Sequence, residues 1–401
     1  MLLAINGLDF GGTETALAQL VRTLRRRDRV LEVLSLKRLG RLGMALREEG
    51  LDVDSLEMDE AIGARSLLNG AWRLSRRLRR DPPAVIYSCL PRANVLTRLA
   101  NRMAGRPAIH LTGERSTDYQ RAGSVVSLNR WTERYTDHTV AVSTAVAQAL
   151  RDRGELCDDR CTVIGNGIDL RAVDQEPAVD IRSELELPTS TRLLVAAGRL
   201  IPDKGYRYLI EAFSRLDRSD AHLLVAGEGP ERGRLEVAIR ELGVHGRVHL
   251  PGFRQDVVGI LKSADAFVLS SLEEGVPMVV VEAMACGLPV VSTAVGGVPD
   301  LLGQGAAGLL VAPAERWASG ERRSDDPAQV ERGVAELTSA LSVVLGDSDC
   351  SRQLGRAARQ RAEQQLDMER VVDSLEALCA ALAEARAQGS RRPAFVPPSA
   401  R

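Results

Sequence analysis

Two carboxylates eight residues apart, Glu274 and Glu282, bracket the run Gly275-Val276-Pro277-Met278 and the apolar stretch behind it. Pro277 fits a first helical position, where its missing N–H costs nothing, and this leaves Glu274 and Gly275 in the loop ahead of the helix. The free amides of the first turn then favour an electron-rich or anionic ligand. Glu282 falls one turn beyond Met278, on the same face, among valine, alanine and methionine. A carboxylate there is costly unless it is hydrogen-bonded, and two vicinal hydroxyls of a ribose would bond it bidentately. A neighbouring arginine would satisfy it equally well, so the residue types leave both readings open.

A second chemical group precedes this one. Gly198-Arg199-Leu200-Ile201-Pro202-Asp203-Lys204-Gly205 follows the apolar run 193–197 directly. Arginine offers a planar fork and lysine a mobile point charge, and together they can neutralise a diphosphate and the charge that develops when its substituent leaves. Of the 53 basic residues only Lys37, Lys204 and Lys262 are lysine, which sets Lys204 apart from an ordinary basic loop. Between the two groups, Gly227 and Gly229 permit tight turns at a strand end, and Phe253 follows Leu250-Pro251-Gly252. Near the start, Gly11-Gly12-Thr13-Glu14 joins a strand to a helix and lets backbone amides approach a phosphate. His110 stands on a strand that runs into a loop with Glu114, Arg115 and Asp118.

These residues need a scaffold that holds them at strand ends. Short apolar runs alternate with helical patterns from residue 2 to 151, and the series restarts at 193 after a polar, proline-bearing stretch at 174–190. Such alternation predicts βαβ units and parallel sheets, which bind ligands at the carboxyl ends of their strands. The 401 residues suit two domains. The expected organisation is an acceptor-side domain over 1–180, a donor-binding domain over 190–365, a helix over 366–388 packing back toward the first domain, and a disordered tail over 389–401. The segment 316–329 reads as a surface excursion.

Taken whole, EEGVPMVVVEAMACGLPVVST resembles the EX7E signature of retaining glycosyltransferases of family 4, the glycosyl transferases group 1 type. The resemblance implies an α/β fold of two Rossmann-like domains facing each other across a cleft, the GT-B arrangement. It implies transfer of a sugar from a nucleotide diphosphate sugar to a hydroxyl of a lipid-linked or saccharide acceptor, with retention. Glu274 would contact the donor sugar, Glu282 the ribose, and Gly275, Val276 and Met278 would hold the sugar through the loop. Arg199 and Lys204 would take the phosphates beside Gly198, so no obligatory metal and no other cofactor is expected. Gly11 and Gly12 resemble the family's GG-T-E loop, Gly227 its glycine turn, and Phe253 a residue beside the nucleobase. Many relatives have a histidine near His110 and a subgroup has a glutamate-arginine pair like Glu114-Arg115. His110 is thus a catalytic candidate, and Glu114, Arg115 and Asp118 are acceptor-side candidates. Asn166-Gly167-Ile168-Asp169 resembles the family's N-G-[IV]-D turn.

Other classes fit less well. The formal net charge of -1 removes whole-molecule attraction to nucleic acid. The six cysteines are scattered with no histidine cluster, against a zinc site or a disulfide framework. Neither a dinucleotide fingerprint nor a P-loop is present. No signal-like start or spanning run appears, so a cytoplasmic protein is expected. The arginine-rich segment 72–80 could rest peripherally on an anionic membrane. A sugar-nucleotide epimerase or hydrolase of similar fold, or a non-catalytic nucleotide-sugar-binding subunit, remain alternatives.

Overall fold

The computed structural model describes residues 1–9, 11–58, 64–117, 123–156, 160–314, 317–318, 321–322 and 326–389. They form two units, one holding the described residues of 1–167 with those from Met368 on, the other Ile168–Asp367.

The first unit is built on seven parallel strands: β1 (Leu2–Ile5), β2 (Glu32–Lys37), β3 (Val53–Met58), β4 (Val85–Cys89), β5 (Ile109–Glu114), β6 (His138–Ala141) and β7 (Cys161–Val163). Their order is β3-β2-β1-β4-β5-β6-β7, so the sheet reverses direction of growth between β1 and β4. Leu3 and Ile5 point to one face, where the helices Gly12–Arg26 and Met368–Ala387 cover them. Leu2 and Ala4 point to the other, against Ala64–Arg80 and Pro91–Met103. A strand covered on both faces must be apolar throughout, which is why β1 reads LLAI. The last helix is fixed by Met368, Val372 and Leu375 in this core and by Arg27, which bonds Glu369 at 2.8 Å and Asp373 at 2.7 Å.

The second unit repeats the plan with six parallel strands: β8 (Arg192–Ala197), β9 (Ala221–Ala226), β10 (Val248–Gly252), β11 (Ala266–Leu269), β12 (Val290–Thr293) and β13 (Leu309–Val311). The order β10-β9-β8-β11-β12-β13 reverses between β8 and β11. Phe267 on one face and Phe213 on the other are fully buried, each worth roughly 1.5–3 kcal/mol. This unit begins ahead of the expected stretch at 174–190. Val173, just ahead of that stretch, and Ile181 within it are buried in the core of the second unit, so the expected first domain over 1–180 ends earlier. The Ile168 N–H also donates to the Leu366 carbonyl at 2.7 Å. Of the expected excursion at 316–329, Trp317–Ala318 pairs antiparallel with Glu321–Arg322. The expected tail lies, from residue 390, outside the described residues. Among the described residues no helix is long and apolar enough to cross a membrane.

Candidate active site

In a doubly wound sheet the loops at the reversal point part to opposite faces and leave a crevice at the strands' carboxyl ends. In the second unit those loops follow β8 and β11. The first runs through Gly198 and Arg199 into a 3-10 turn, Pro202–Lys204, which ends at Gly205 with φ 62°. A Cβ on Gly205 would overlap the Ser270 carbonyl oxygen, so only glycine lets the two loops meet. Ser270 Oγ donates to the Lys204 carbonyl at 2.9 Å, and the Leu272 N–H donates to the Asp203 carbonyl at 2.8 Å. Lys204 Nζ thereby reaches Glu274 Oε1 at 2.5 Å, and Ser271 Oγ donates to the same oxygen at 2.7 Å. Burial and the Glu274 charge together push the nearby Tyr206 phenol up.

The loop holding Glu274 is braced from β12. Thr293 Oγ1 donates to the Ser271 carbonyl at 2.5 Å, and the Gly297 N–H donates to the Gly275 carbonyl at 2.7 Å. Gly296 has φ 52°, and a side chain there would overlap the Glu274 carbonyl. Sequence reasoning missed Ser271, Thr293, Gly296 and Gly297 as supports. The Gly-Gly pair two residues after a strand was the available signal.

The helix behind this loop is Met278–Ala285, one residue later than expected. Pro277 is its N-cap: ψ is 117°, yet its carbonyl already accepts from Val280 at 3.1 Å. The amides of Met278 and Val279 have no acceptor within the helix. Glu282 is half-buried between Val281 and Ala283, and its carboxyl makes no hydrogen bond or ion pair among the described residues. Burial alone raises it to about 7. Among the described residues there is no arginine partner to explain it structurally.

Arg199 is exposed and likewise has no side-chain bond among the described residues. Lys204 and Glu274 are thus in contact, Arg199 stands on the same strand edge, and Glu282 lies further along the helix without touching them. Gly198 and Gly227 act on one another. Gly227 has φ 155°, and a Cβ there would overlap the Gly198 carbonyl oxygen, so β8 and β9 end closer together than side chains allow. Phe253 is 48% exposed just past β10.

The first unit arranges its candidates differently. Gly11 is the extended N-cap of Gly12–Arg26 and provides no side-chain cap, and the Glu14 carboxylate lies beside it in the first turn. His110 does not reach solvent. It is fully buried, with Nε2 2.9 Å from Thr97 Oγ1 and Nδ1 3.1 Å from Thr136 Oγ1. Burial, with the Arg98 and Arg106 charges, holds its pKa well below the usual value. The expectation of a catalytic histidine is corrected accordingly: both ring nitrogens are spent inside the core. Glu114 is 2% exposed and accepts from Asn94 at 3.0 Å. Arg115 bonds Asn166 and Tyr87, tying the N-G-I-D turn to β4. These two residues brace the fold and do not present free groups to an acceptor. Asp118 lies outside the described residues.

Residues 179–325 match the model of the family described as glycosyl transferases group 1, and residues 10–172 that of glycosyltransferase family 4. The chain is 27% identical over 297 residues to N-acetyl-alpha-D-glucosaminyl L-malate synthase of Bacillus anthracis, covering 73% of each chain. It is 32% identical over 239 residues to the lipopolysaccharide core biosynthesis glycosyltransferase LpsE of Rhizobium meliloti, covering 60% of this chain and 64% of that one. Among solved structures, Anabaena HepE in complex with UDP superposes with TM-score 0.79 at 20% identity, over 94% of this chain and 99% of that one. The same protein has also been solved with UDP-glucose.

Proposed function

Because the chain belongs to the GT-B glycosyltransferases of the group 1 and family 4 type, we propose that it moves a sugar from a nucleoside diphosphate sugar to a hydroxyl acceptor with retention of configuration. The observation that bears most of the weight is the contact between Lys204 and Glu274 at the ends of two adjacent central strands. A diphosphate sugar has its phosphate beside its sugar hydroxyls, so a cation and a carboxylate in contact match that juxtaposition. An ammonium has three N–H donors and can hold Glu274 and a phosphate oxygen together. Arg199 and the open amides of Met278 and Val279 add positive potential where the leaving diphosphate gains charge. Glu274 would read the sugar hydroxyls, and Glu282, with no partner among the described residues, the ribose diol.

In the reaction the bond from the anomeric carbon to the diphosphate oxygen breaks while the acceptor oxygen bonds that carbon on the same face. The departing diphosphate oxygen takes the acceptor's hydroxyl proton. A protein base is then not required, and the buried His110 is compatible with that route. The test is a panel of UDP-, GDP- and ADP-sugars scored by thermal stabilisation, followed by transfer to lipid-linked and soluble acceptors. Stabilisation by at least one donor, with a product whose anomeric coupling matches the donor's, is expected. Inversion of that coupling, or release of free sugar with every acceptor, would refute the proposal.

A further inference from the structure

Ala64–Arg80, Pro91–Met103 and Gly123–Glu133 pack side by side on one face of the first unit's sheet. The chain as a whole has 53 basic and 54 acidic residues, yet the first two of these helices contain no Asp or Glu, and the third contains only Glu133, which is buried. Their outer surface displays Arg65, Arg76, Arg80, Arg102, Arg130 and Arg134. Arg77 is drawn inward to Glu32 and Asp54, and Asp81 closes the first helix. In a nearly neutral protein these three helices therefore present a wall that is almost purely cationic.

That wall is also apolar in a particular way. Trp72 and Trp131 are each 49% exposed, and Leu68, Met103 and Leu128 are exposed with them. Each tryptophan lies under a guanidinium, Arg76 at 4.9 Å from the Trp72 ring and Arg134 at 4.9 Å from the Trp131 ring. We infer that this three-helix face docks on an anionic lipid bilayer. Amphipathic indole rings settle at the headgroup level, arginines reach the lipid phosphates, and exposed leucine and methionine gain by entering the acyl boundary. A nucleic acid would also meet the arginines, but it offers nothing to Leu68, Met103 or Leu128. The segment 72–80 alone suggested a basic helix; the second tryptophan-arginine pair and the missing acids come from the neighbouring helices.

The inference is independent of the donor site and is tested separately from it. The full chain, with Trp317→Phe so that only Trp72 and Trp131 emit, is mixed with vesicles of phosphatidylcholine containing about one third phosphatidylglycerol, and with pure phosphatidylcholine vesicles. Binding to the anionic vesicles with a blue shift, weakening as salt rises, is expected. Arg76→Glu, Arg80→Glu and Arg134→Glu should each lower the partition coefficient at least about fivefold. Trp72→Ala with Trp131→Ala, read by co-sedimentation, should lower it on the same vesicles. All variants should keep the wild-type thermal midpoint and nucleotide-induced stabilisation. Absence of binding to anionic vesicles at low salt, equal partition of the charge variants, or an emission shift with single-stranded DNA and not with vesicles would overturn it.

Discussion

Replacing Glu282 by glutamine should make the empty protein more stable while removing its response to nucleotide. The carboxyl stands at about 7 where a free one would titrate at 4.5, with burial as the sole cause. The folded protein therefore holds this proton more tightly than the unfolded chain. Stability falls as pH rises from about 4.5 to about 7, and above that range the full cost of a buried, unpartnered charge is present. At about 1.36 kcal/mol for each pKa unit, the cost is on the order of 3 kcal/mol as an upper bound. Glutamine keeps the shape and removes the charge. For a unit of this size, a gain of that order raises the midpoint by roughly 5–10 °C. Scanning calorimetry of wild type and Glu282→Gln should show nearly equal midpoints near pH 5 and a gap in favour of the variant at about pH 8.5. Saturating nucleotide should then lift the wild type and leave the variant unmoved. A gap that fails to widen with pH, or a variant less stable than wild type at alkaline pH, would refute the reasoning.

Arg199→Ala should lower kcat/KM by about a hundredfold or more with an unchanged thermal midpoint, because the side chain is exposed and has no bond among the described residues. Gly205→Ala should cost about 2 kcal/mol or more in calorimetry, since φ is 62° and the Ser270 carbonyl occupies the Cβ position. His110→Ala should destabilise by roughly 2–4 kcal/mol while the folded fraction keeps kcat within a few-fold; a large kcat loss at an unchanged midpoint would restore it to the chemistry.

Strands such as β1, β8 and β11 were legible because burial on both faces leaves an uninterrupted apolar run. The edge strand β3 was not, since Asp54 and Glu57 break its pattern, and β7 is only three residues long. Edges face water on one side, so their sequence resembles a loop's. The residues Arg199, Lys204, Glu274 and Glu282 stood out by type and spacing. That Lys204 and Glu274 touch across 70 residues could not be read, because it depends on β8 and β11 being sheet neighbours. His110 misled for a related reason: a histidine at a strand's start looks the same in sequence whether its ring turns toward solvent or into threonines. Only packing against Thr97 and Thr136 decides it.

The ion pair between Lys204 and Glu274 means that the loop balances its own charge at this point. A small monovalent anion from the buffer would gain little from an ammonium already balanced by a carboxylate. A ligand that brings negative oxygens for the lysine and hydroxyl donors for the glutamate at once gains from both members of the pair. Nucleotide or free sugar supplied separately should therefore bind more weakly than their covalent union, and the side chains that would do the chemistry also rank what enters.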